Sequence, residues 1–578
     1  MKIKIYYDGE CPFCRNYVRL VNIRRQVNSL ELLDLRCEPE LSRCFQKKGM
    51  DPDLGMIVDA DGRLYHGRHA VSFLASFEVE NSFLKALNRL LLSSALLSSI
   101  TYFFMRLGRS ATLFFIGKAG LLEGKSKASS LTIFSSLLGL FCILHFLVYA
   151  YHYRLPLYFT SYLIAGLGAL LFFAPESRRI FAATIIVLLI DGVFHAPVFS
   201  NHTIIKNFLV LSVVVAVAVT WVKGQGEDYF FGIFSPVARC LLLIMYFFGV
   251  FHKLNSGFFD VSASCAPALW GEMPFYLDRI SGQFFSYLLI YGTLIVELII
   301  MVGLVYPKTR SLGVLAGISF HSMIALSGYA LYAPFSMLTI ALHSLFISSR
   351  RADAIIDSRR WRRFYAFIRR PLGVLVFLLL VGILWGLSYL GQYSSVGIVW
   401  VLAMVPIFMA VFFNKLEFEP DENAERVISK PYWLNVITLI FFINCFSPYL
   451  GLKTGQAVNM FANLRLEDGV SNHFIIGVPG PFGYVEDVVK LVDIEGATRL
   501  RYFMDEDLGL VYYSLLDYLE RNPEARVSFD RNGESYSMVS FEELPVGDQD
   551  LLHPRWFRAW FSFIPVDFTS PKPCALDR

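Results

Sequence analysis

Val237–Asn255 reads VARCLLLIMYFFGVFHKLN, an apolar run long enough to cross the hydrocarbon core of a bilayer. It closes on His252-Lys253-Leu254-Asn255, so a lysine stands at the lip of the apolar zone. Two readings of that lysine compete. A long cationic side chain at a membrane boundary can snorkel to the headgroups and anchor its helix. An ionisable residue kept inside a membrane bundle instead marks a functional site. The choice rests on whether polar residues of other apolar runs reach the same side of the membrane.

The rest of the chain is built of similar runs. Of 578 residues, 55% are hydrophobic and 53 are phenylalanine, and mean hydropathy is +0.50. Soluble domains rarely carry this much apolar surface, so a polytopic membrane protein is expected. The net charge of +4 implies no acidic polymer as partner, and no nucleic-acid module is visible. Nine cysteines in this length do not form a disulfide framework, and only Cys11 and Cys14 are spaced like a redox or metal pair. Met1 leads into a strand-like KIKIYY run rather than a basic-then-apolar leader, so no signal peptide is expected.

A membrane body is expected over 131–450, with about eleven spans from Leu131–His152 to Trp433–Leu450. Basic residues orient it. Lys118, Lys125 and Lys127, Arg178 and Arg179, Lys308 and Arg310, and the arginines between Arg350 and Arg370 fall in alternate connections. Ser327–Leu331 and Gly391–Ser395, in the opposite set, carry no basic residue. The charged side is therefore the cytoplasm, with the N-terminal region inside and the tail after Leu450 outside. On this topology Asn201-His202, Lys253 and His321 converge on the external leaflet. Asp191 and His195 lie along the span before Asn201 and are expected around the same cavity. Glu297 and His343 fall in the inner halves of their spans, where structural hydrogen bonding is expected.

Residues 1–117 read as a separate soluble domain with interfacial helices. Lys2–Tyr7 is a strand, Asp8-Gly9-Glu10 a turn, and Cys11-Pro12-Phe13-Cys14 enters a helical stretch, Arg15–Arg25. Leu30–Leu35 is a second strand, and Met56–Val58 with Arg63–His66 forms a hairpin. Leu90–Met105 is apolar but short and flanked by basic residues, which favours an interfacial helix over a span. A CxxC between strand and helix has a redox mechanism. The helix N-terminus favours the thiolate of Cys11 as nucleophile, and Cys14 then attacks the mixed disulfide to release the partner. A metal site would need a second ligand pair, and Cys37 and Cys44 match it poorly.

Tyr6–Cys14, with Gly67–Ala70 and Arg106–Arg109, resembles the DCC family of thiol-disulfide oxidoreductases. That resemblance implies a thioredoxin-like fold, Cys11 and Cys14 as the catalytic dithiol, no required cofactor, and a thiol or disulfide protein as partner. Pro52 stands several residues before the position at which thioredoxin folds place a cis-proline.

Ser200-Asn201-His202, Gly249–Asn255 (GVFHKLN) and Ser319–Phe335 (SFHSMIALSGYALYAPF) resemble the vitamin K-dependent gamma-carboxylases and their bacterial relatives, the HTTM proteins. Ser447–His473 is similar to the entry to the external domain in the bacterial members. The resemblance implies Lys253 as the base that deprotonates a reduced quinone of the vitamin K type. Oxygenation of that quinol then drives removal of a glutamate γ-proton, and CO2 adds. Asn201, His202 and His321 would hold the quinol oxygens, and Phe251 and Phe320 would face its ring. Phe258 or Phe259 stands where that family usually has tryptophan.

Residues 451–578 form an expected external α+β domain, with a hairpin about Asn532-Gly533 and a short helix over Val511–Glu520. The expected whole is mainly α: a multi-pass inner-membrane protein between a cytoplasmic thioredoxin-like domain and a small periplasmic domain. Its partners are the lipid bilayer, a thiol protein, a quinol and a peptide substrate. Two functions remain open. One is a membrane-bound oxidoreductase whose dithiol works with a carboxylase-like, quinol-using body. The other is a non-catalytic maturation or scaffold protein with a redox-sensing dithiol and a lipid- or quinone-binding body.

Overall fold

Alternation in Lys2–Tyr7 puts Ile3 and Ile5 under cover and Lys2 and Lys4 in solvent, which makes this stretch strand β1. The structure, a computed structural model, describes residues 2–9, 29–75 apart from 36, 39, 40, 43, 46, 47, 49, 51, 53 and 54, then 126–149, 159–196, 200–275, 277–329, 332–411, 426–459, 461–558 and 560–574. β1 pairs in parallel with β2 (Ser29–Asp34) and antiparallel with β3 (Ile57–Ala60). β3 turns through Asp61-Gly62, both at positive φ, into β4 (Arg63–His66), giving the order β2-β1-β3-β4. Helix α1 (Arg68–Ala75) lays Ala70, Val71 and Leu74 on Ile3, Ile5 and Val58. Parallel β1 and β2 need a crossover connection. The connecting residues 10–28, with Cys11, Cys14 and the expected helix Arg15–Arg25, lie outside the described residues, as does the expected interfacial helix Leu90–Met105.

Each of the apolar runs expected in 131–450 falls on a helix: α2 (Ser126–Leu144, continued by a π turn to Tyr149), α3 (Phe159–Phe173), α4 (Arg178–Phe194), α5 (Asn201–Lys223), α6 (Glu227–Phe251), the short α7 (Ser256–Phe259) and α8 (Cys265–Gly271), α9 (Gln283–Val305), α10 (Arg310–Ile324), α11 (Tyr332–Ser344), the basic α12 (Ser349–Asp357) and α13 (Arg359–Ile368), α14 (Pro371–Tyr389), α15 (Tyr393–Val411) and α16 (Val436–Phe446). The expected number of eleven spans is not confirmed. Among the described residues, 6 helices are long and apolar enough to cross a membrane: the continued α2, α5, α6, α9, α14 and the segment around α16. The shortfall is one of length. Helices of 15 residues such as α3 and α10 rise about 22 Å at 1.5 Å per residue, less than a hydrocarbon core of about 30 Å.

Burial separates post from rim. In α2, 94% of the apolar window is buried inside the bundle, whereas in α14 the share is 17% and Leu372, Leu375, Leu378, Leu379 and Ile383 face outward. An outward face this apolar suits lipid rather than water. Two close crossings depend on glycine. A Cβ on Gly139 of α2 would stand 2.6 Å from the Gly168 carbonyl of α3, and one on Gly313 of α10 would stand 2.7 Å from the Gly303 backbone of α9.

Beyond α16 the chain does not leave the bundle at once. Val458, Ala462, Leu464 and Leu466 belong to the same buried cluster as the helices. A five-stranded sheet follows, ordered β8-β7-β5-β6-β9: β5 (Val488–Glu495), β6 (Leu508–Val511), β7 (Arg526–Arg531), β8 (Glu534–Val539) and β9 (Val566–Asp567). All its pairings are antiparallel. The β7–β8 turn is Asn532-Gly533, both at positive φ, as its sequence requires. The expected helix is Tyr512–Arg521, which buries Leu515, Leu516 and Leu519 against β5 and β7. A disulfide joins Cys265 of α8 to Cys574, 309 residues apart, where sequence spacing had offered only Cys11 and Cys14.

Candidate functional site

The end of α6 divides its labour among the residues of one short motif. His252 faces the tail, where its ring nitrogens meet the Tyr449 hydroxyl at 2.8 Å and the Ala457 carbonyl at 3.1 Å. Asn255 donates to the carbonyls of His252 (2.7 Å) and Ala462 (2.6 Å), and its side-chain oxygen caps α7 by accepting from Phe258 N at 2.8 Å. These two residues fasten the helix end to the stretch 449–463. Lys253 turns the other way. Side chains on a helix lean toward its N-terminus, and the lysine stem carries Nζ back one turn to the Gly249 carbonyl at 2.9 Å. There it also meets both carboxylate oxygens of Glu297 on α9, at 2.9 and 2.8 Å. The carboxylate lies against Gly249, where a Cβ would stand in ordinary contact at 3.5 Å from Glu297 Oε2.

The pair sits in the wall of a partly open cavity of about 140 Å³, lined by α5, α6, α7, α8, α9, α10, α11 and the 458–461 stretch. A space of that size holds about five waters or one aromatic ring about the size of benzene. Its polar groups include Asn201, Lys253, Thr293, Glu297 and His321, together with the hydroxyl-bearing Tyr246 and Tyr332. Phe258, Trp270, Phe320, Phe335 and Phe461 supply flat apolar walls, and the Phe258 ring lies 5.9 Å from Lys253 Nζ.

His321 is held by a relay whose proton positions follow from its end point. His343 Nδ1 lies 2.7 Å from the Thr339 carbonyl, which only accepts, so that nitrogen carries the hydrogen. With a neutral ring, His343 Nε2 then accepts from the Tyr246 hydroxyl at 3.2 Å. The Tyr246 oxygen in turn accepts from His321 Nε2 at 2.8 Å. This leaves His321 Nδ1 as a lone-pair acceptor, and it is buried without a partner. Gly317 makes the relay possible, because any side chain there would collide with the His343 ring. Asn201 stands at the start of α5, where the Ser200 hydroxyl accepts from Thr203 N at 3.4 Å. Its side-chain oxygen accepts from Val458 N at 2.9 Å, which leaves its NH2 group as the donor on the cavity side.

Of the residues singled out from sequence, Asn201, Lys253, His321 and Phe320 line this cavity, and His202 and Phe251 do not. His202 is buried behind it, 2.7 Å from the Ser200 hydroxyl and 3.2 Å from His145 Nδ1. Phe251 packs against Phe247, Tyr449 and His473. Asp191 and His195 also lie off the cavity, in a separate cluster with Lys206. Glu297 and His343, expected to make structural hydrogen bonds at another depth, instead reach the cavity residues directly. Tyr246 was not singled out at all, and a lone tyrosine in an apolar run carries no signal of its own.

On the other domain, the turn before the dithiol is held from β2. Gly9 N donates to Asp34 Oδ1 at 3.0 Å, and a side chain at position 9 would strike that carboxylate. Cys11 and Cys14 themselves lie outside the described residues. Residues 5–113 match the family model of DCC1-like thiol-disulfide oxidoreductases. That match supports a redox function for the N-terminal domain and suggests disulfide oxidoreductase activity. The chain matches no curated protein and no solved structure. Among the described residues no group of three or more His, Cys, Asp or Glu could hold a metal ion.

Proposed function

We propose that the chain is a membrane-bound thiol-disulfide oxidoreductase whose Cys11/Cys14 dithiol is joined to a quinol-using, gamma-carboxylase-like membrane body. The observation that carries the second half is the cavity in which Lys253, Glu297 and the open nitrogen of His321 meet aromatic walls. A quinol has a flat ring and hydroxyl groups at its edge. His321 Nδ1 accepts from one hydroxyl, and the Asn201 NH2 donates to its oxygen. Lys253 and Glu297 exchange a proton without changing the net charge of the pair, because amine plus carboxylic acid is as neutral overall as ammonium plus carboxylate. That is the least costly way to keep a base in a dry site. A lysine whose only task was to reach the headgroups would point outward from the helix end, and Lys253 points back into the bundle.

The positive-inside pattern and the Cys265–Cys574 bond together support a cell-membrane orientation with the cavity side outward and the dithiol domain in the cytoplasm, since disulfides persist in oxidising compartments. The peptide substrate would approach from that outer side.

Quinol-dependent oxygen uptake by the purified chain in lipid nanodiscs tests the reading. Lys253→Ala should lower it by about two orders of magnitude or more, as loss of a general base does, while Cys11 alkylation is unchanged. Lys253→Arg should fail nearly as fully, because a guanidinium does not release its proton near neutral pH. Normal uptake by the arginine variant would make Lys253 an anion binder and favour the scaffold reading.

A further inference from the structure

The Cys265–Cys574 disulfide is part of the cavity wall. Cys265 is among the residues lining the space that holds Lys253, Glu297 and His321, and the adjoining Ala266, Leu269 and Trp270 of α8 continue that wall. The two cysteines differ in access: Cys265 is 3% exposed, whereas Cys574 is half-buried. Cys265 belongs to the cavity lining, and its partner Cys574, outside that lining, is the more accessible of the two.

The two segments are also held together without the covalent bond. Asn463 donates to the carbonyls of Ala263 (2.8 Å) and Lys572 (3.1 Å), and its side-chain oxygen accepts from Cys265 N at 2.9 Å. Lys572 Nζ adds a bond to the Leu464 carbonyl at 3.0 Å. A structural staple is needed where nothing else joins two segments. Here one asparagine clamps both cysteine-bearing segments, which would keep the reduced thiols side by side so that the bond can re-form.

We propose that Cys265 and Cys574 are a second redox pair, which passes two electrons between an external thiol protein and a quinone in the cavity. This rests on the quinone reading of the cavity given above. In the forward step the two thiols lose two hydrogens and form the S–S bond, and the quinone gains two hydrogens and becomes the quinol. In detail, the Cys265 thiolate attacks the quinone ring, and the Cys574 thiolate then attacks Cys265 sulfur and expels the reduced ring. The two thiol protons end on the two ring oxygens. The pair is reset when a dithiol protein attacks half-buried Cys574, leaving with its own disulfide. This places a source of quinol beside Lys253, on the same face of the membrane, without electrons from the cytoplasmic dithiol.

The test uses the full-length chain with Cys11, Cys14 and the exposed Cys37 and Cys44 all replaced by serine, so that the external pair is the accessible one that reports. The protein is reduced, desalted and mixed anaerobically with a soluble naphthoquinone. Two signals are followed: quenching of Trp270 fluorescence against a Trp270→Phe control, for binding, and the two-hydrogen mass change of the Cys265–Cys574 peptide, for oxidation. The expected result is quenching, one quinol formed per chain and the disulfide restored, with Cys574→Ser forming none. A redox-inert dimethoxynaphthalene should compete and slow oxidation about tenfold, and filling the cavity with Ala266→Trp should do the same. Quenching without oxidation, a disulfide that resists reduction in the folded protein, or a rate indifferent to the competitor would overturn the redox pair while leaving the cavity reading intact. Absence of quenching would overturn both.

Discussion

Lys206 and Lys253 are both buried lysines facing a carboxylate on a neighbouring helix, yet their surroundings differ in kind. Lys206 on α5 is 2% exposed and lies 3.7 Å from Asp191 Oδ2. The other oxygen of that carboxylate takes Thr160 (3.0 Å), Ser161 (3.4 Å) and His195 (3.2 Å). Both oxygens of that carboxylate face protein groups, and none of these groups lines the cavity. Lys253 is also fully bonded, to Glu297 and Gly249, but its pair stands in a cavity wall beside an unpartnered histidine nitrogen. One residue type in one solvent thus serves two ends: a closed network fixes the packing of α3, α4 and α5, and an open one leaves a place for a ligand. What separates structure from function here is the unfilled valence nearby rather than the buried charge.

The largest effect should come from breaking the closed network. Lys206→Met leaves the Asp191 carboxylate short of its cation and should cost about 3–5 kcal/mol, as removal of one partner of a buried pair does. Denaturant titration in mixed micelles measures it, and adding Asp191→Asn should recover part of the loss. Lys253→Met should cost clearly less, because water can enter the cavity beside Glu297. Equal losses would erase the distinction between the two sites.

A third lysine sharpens the comparison by lacking a carboxylate. Lys453, beyond the last span, is 5% exposed and donates to Asn444 Oδ1 at 2.7 Å and the Gln456 carbonyl at 3.5 Å, with the Cys445 thiol nearby. Burial lowers its pKa from 10.5 to about 8. Between those values the unfolded chain binds the proton that the folded one has lost, so this group makes stability rise with pH, by about 1.4 kcal/mol per unit. Below pH 8 both states are protonated and the burial penalty is fully felt. Lys453→Met should therefore flatten the stability profile between pH 8 and 10.5 and raise stability at neutral pH. An unchanged slope would mean that the amine is hydrated.

The smallest effect is expected at the relay of His321, Tyr246 and His343. Tyr246→Phe removes the group between His321 and His343, at about 1–2 kcal/mol for the lost buried bonds. It should weaken naphthoquinone binding about tenfold, since each 1.4 kcal/mol is a factor of ten. His202→Ala, behind the cavity, should leave that binding unchanged.

Much of this was legible because apolar length and turn chemistry are local. The apolar helices of the body stand where hydrophobic runs predict them, the short α7 and α8 and the basic α12 and α13 having no such run, and Asn532-Gly533 turns where its left-handed residues demand. The span count was less legible, because a 15-residue helix inside a bundle and the middle of a true span share one composition. Lys253, His321 and Asn201 were found through their placement on one face. Glu297 was missed because depth was counted along helix axes, which ignores how far a lysine stem reaches back along its own helix. The Cys265–Cys574 bond was invisible for another reason: pairing over 309 residues depends on tertiary contacts, here those made by Asn463, and leaves no mark in spacing.

Native mass spectrometry of the chain, extracted in its own lipids, tests the central claim most directly. A cavity built for a quinol should retain a quinone-mass adduct in the wild type and lose it when Ala266→Trp fills the space. Absence of any adduct, or an adduct of equal abundance in both proteins, would contradict the assignment of Lys253, Glu297 and His321 to a quinol site.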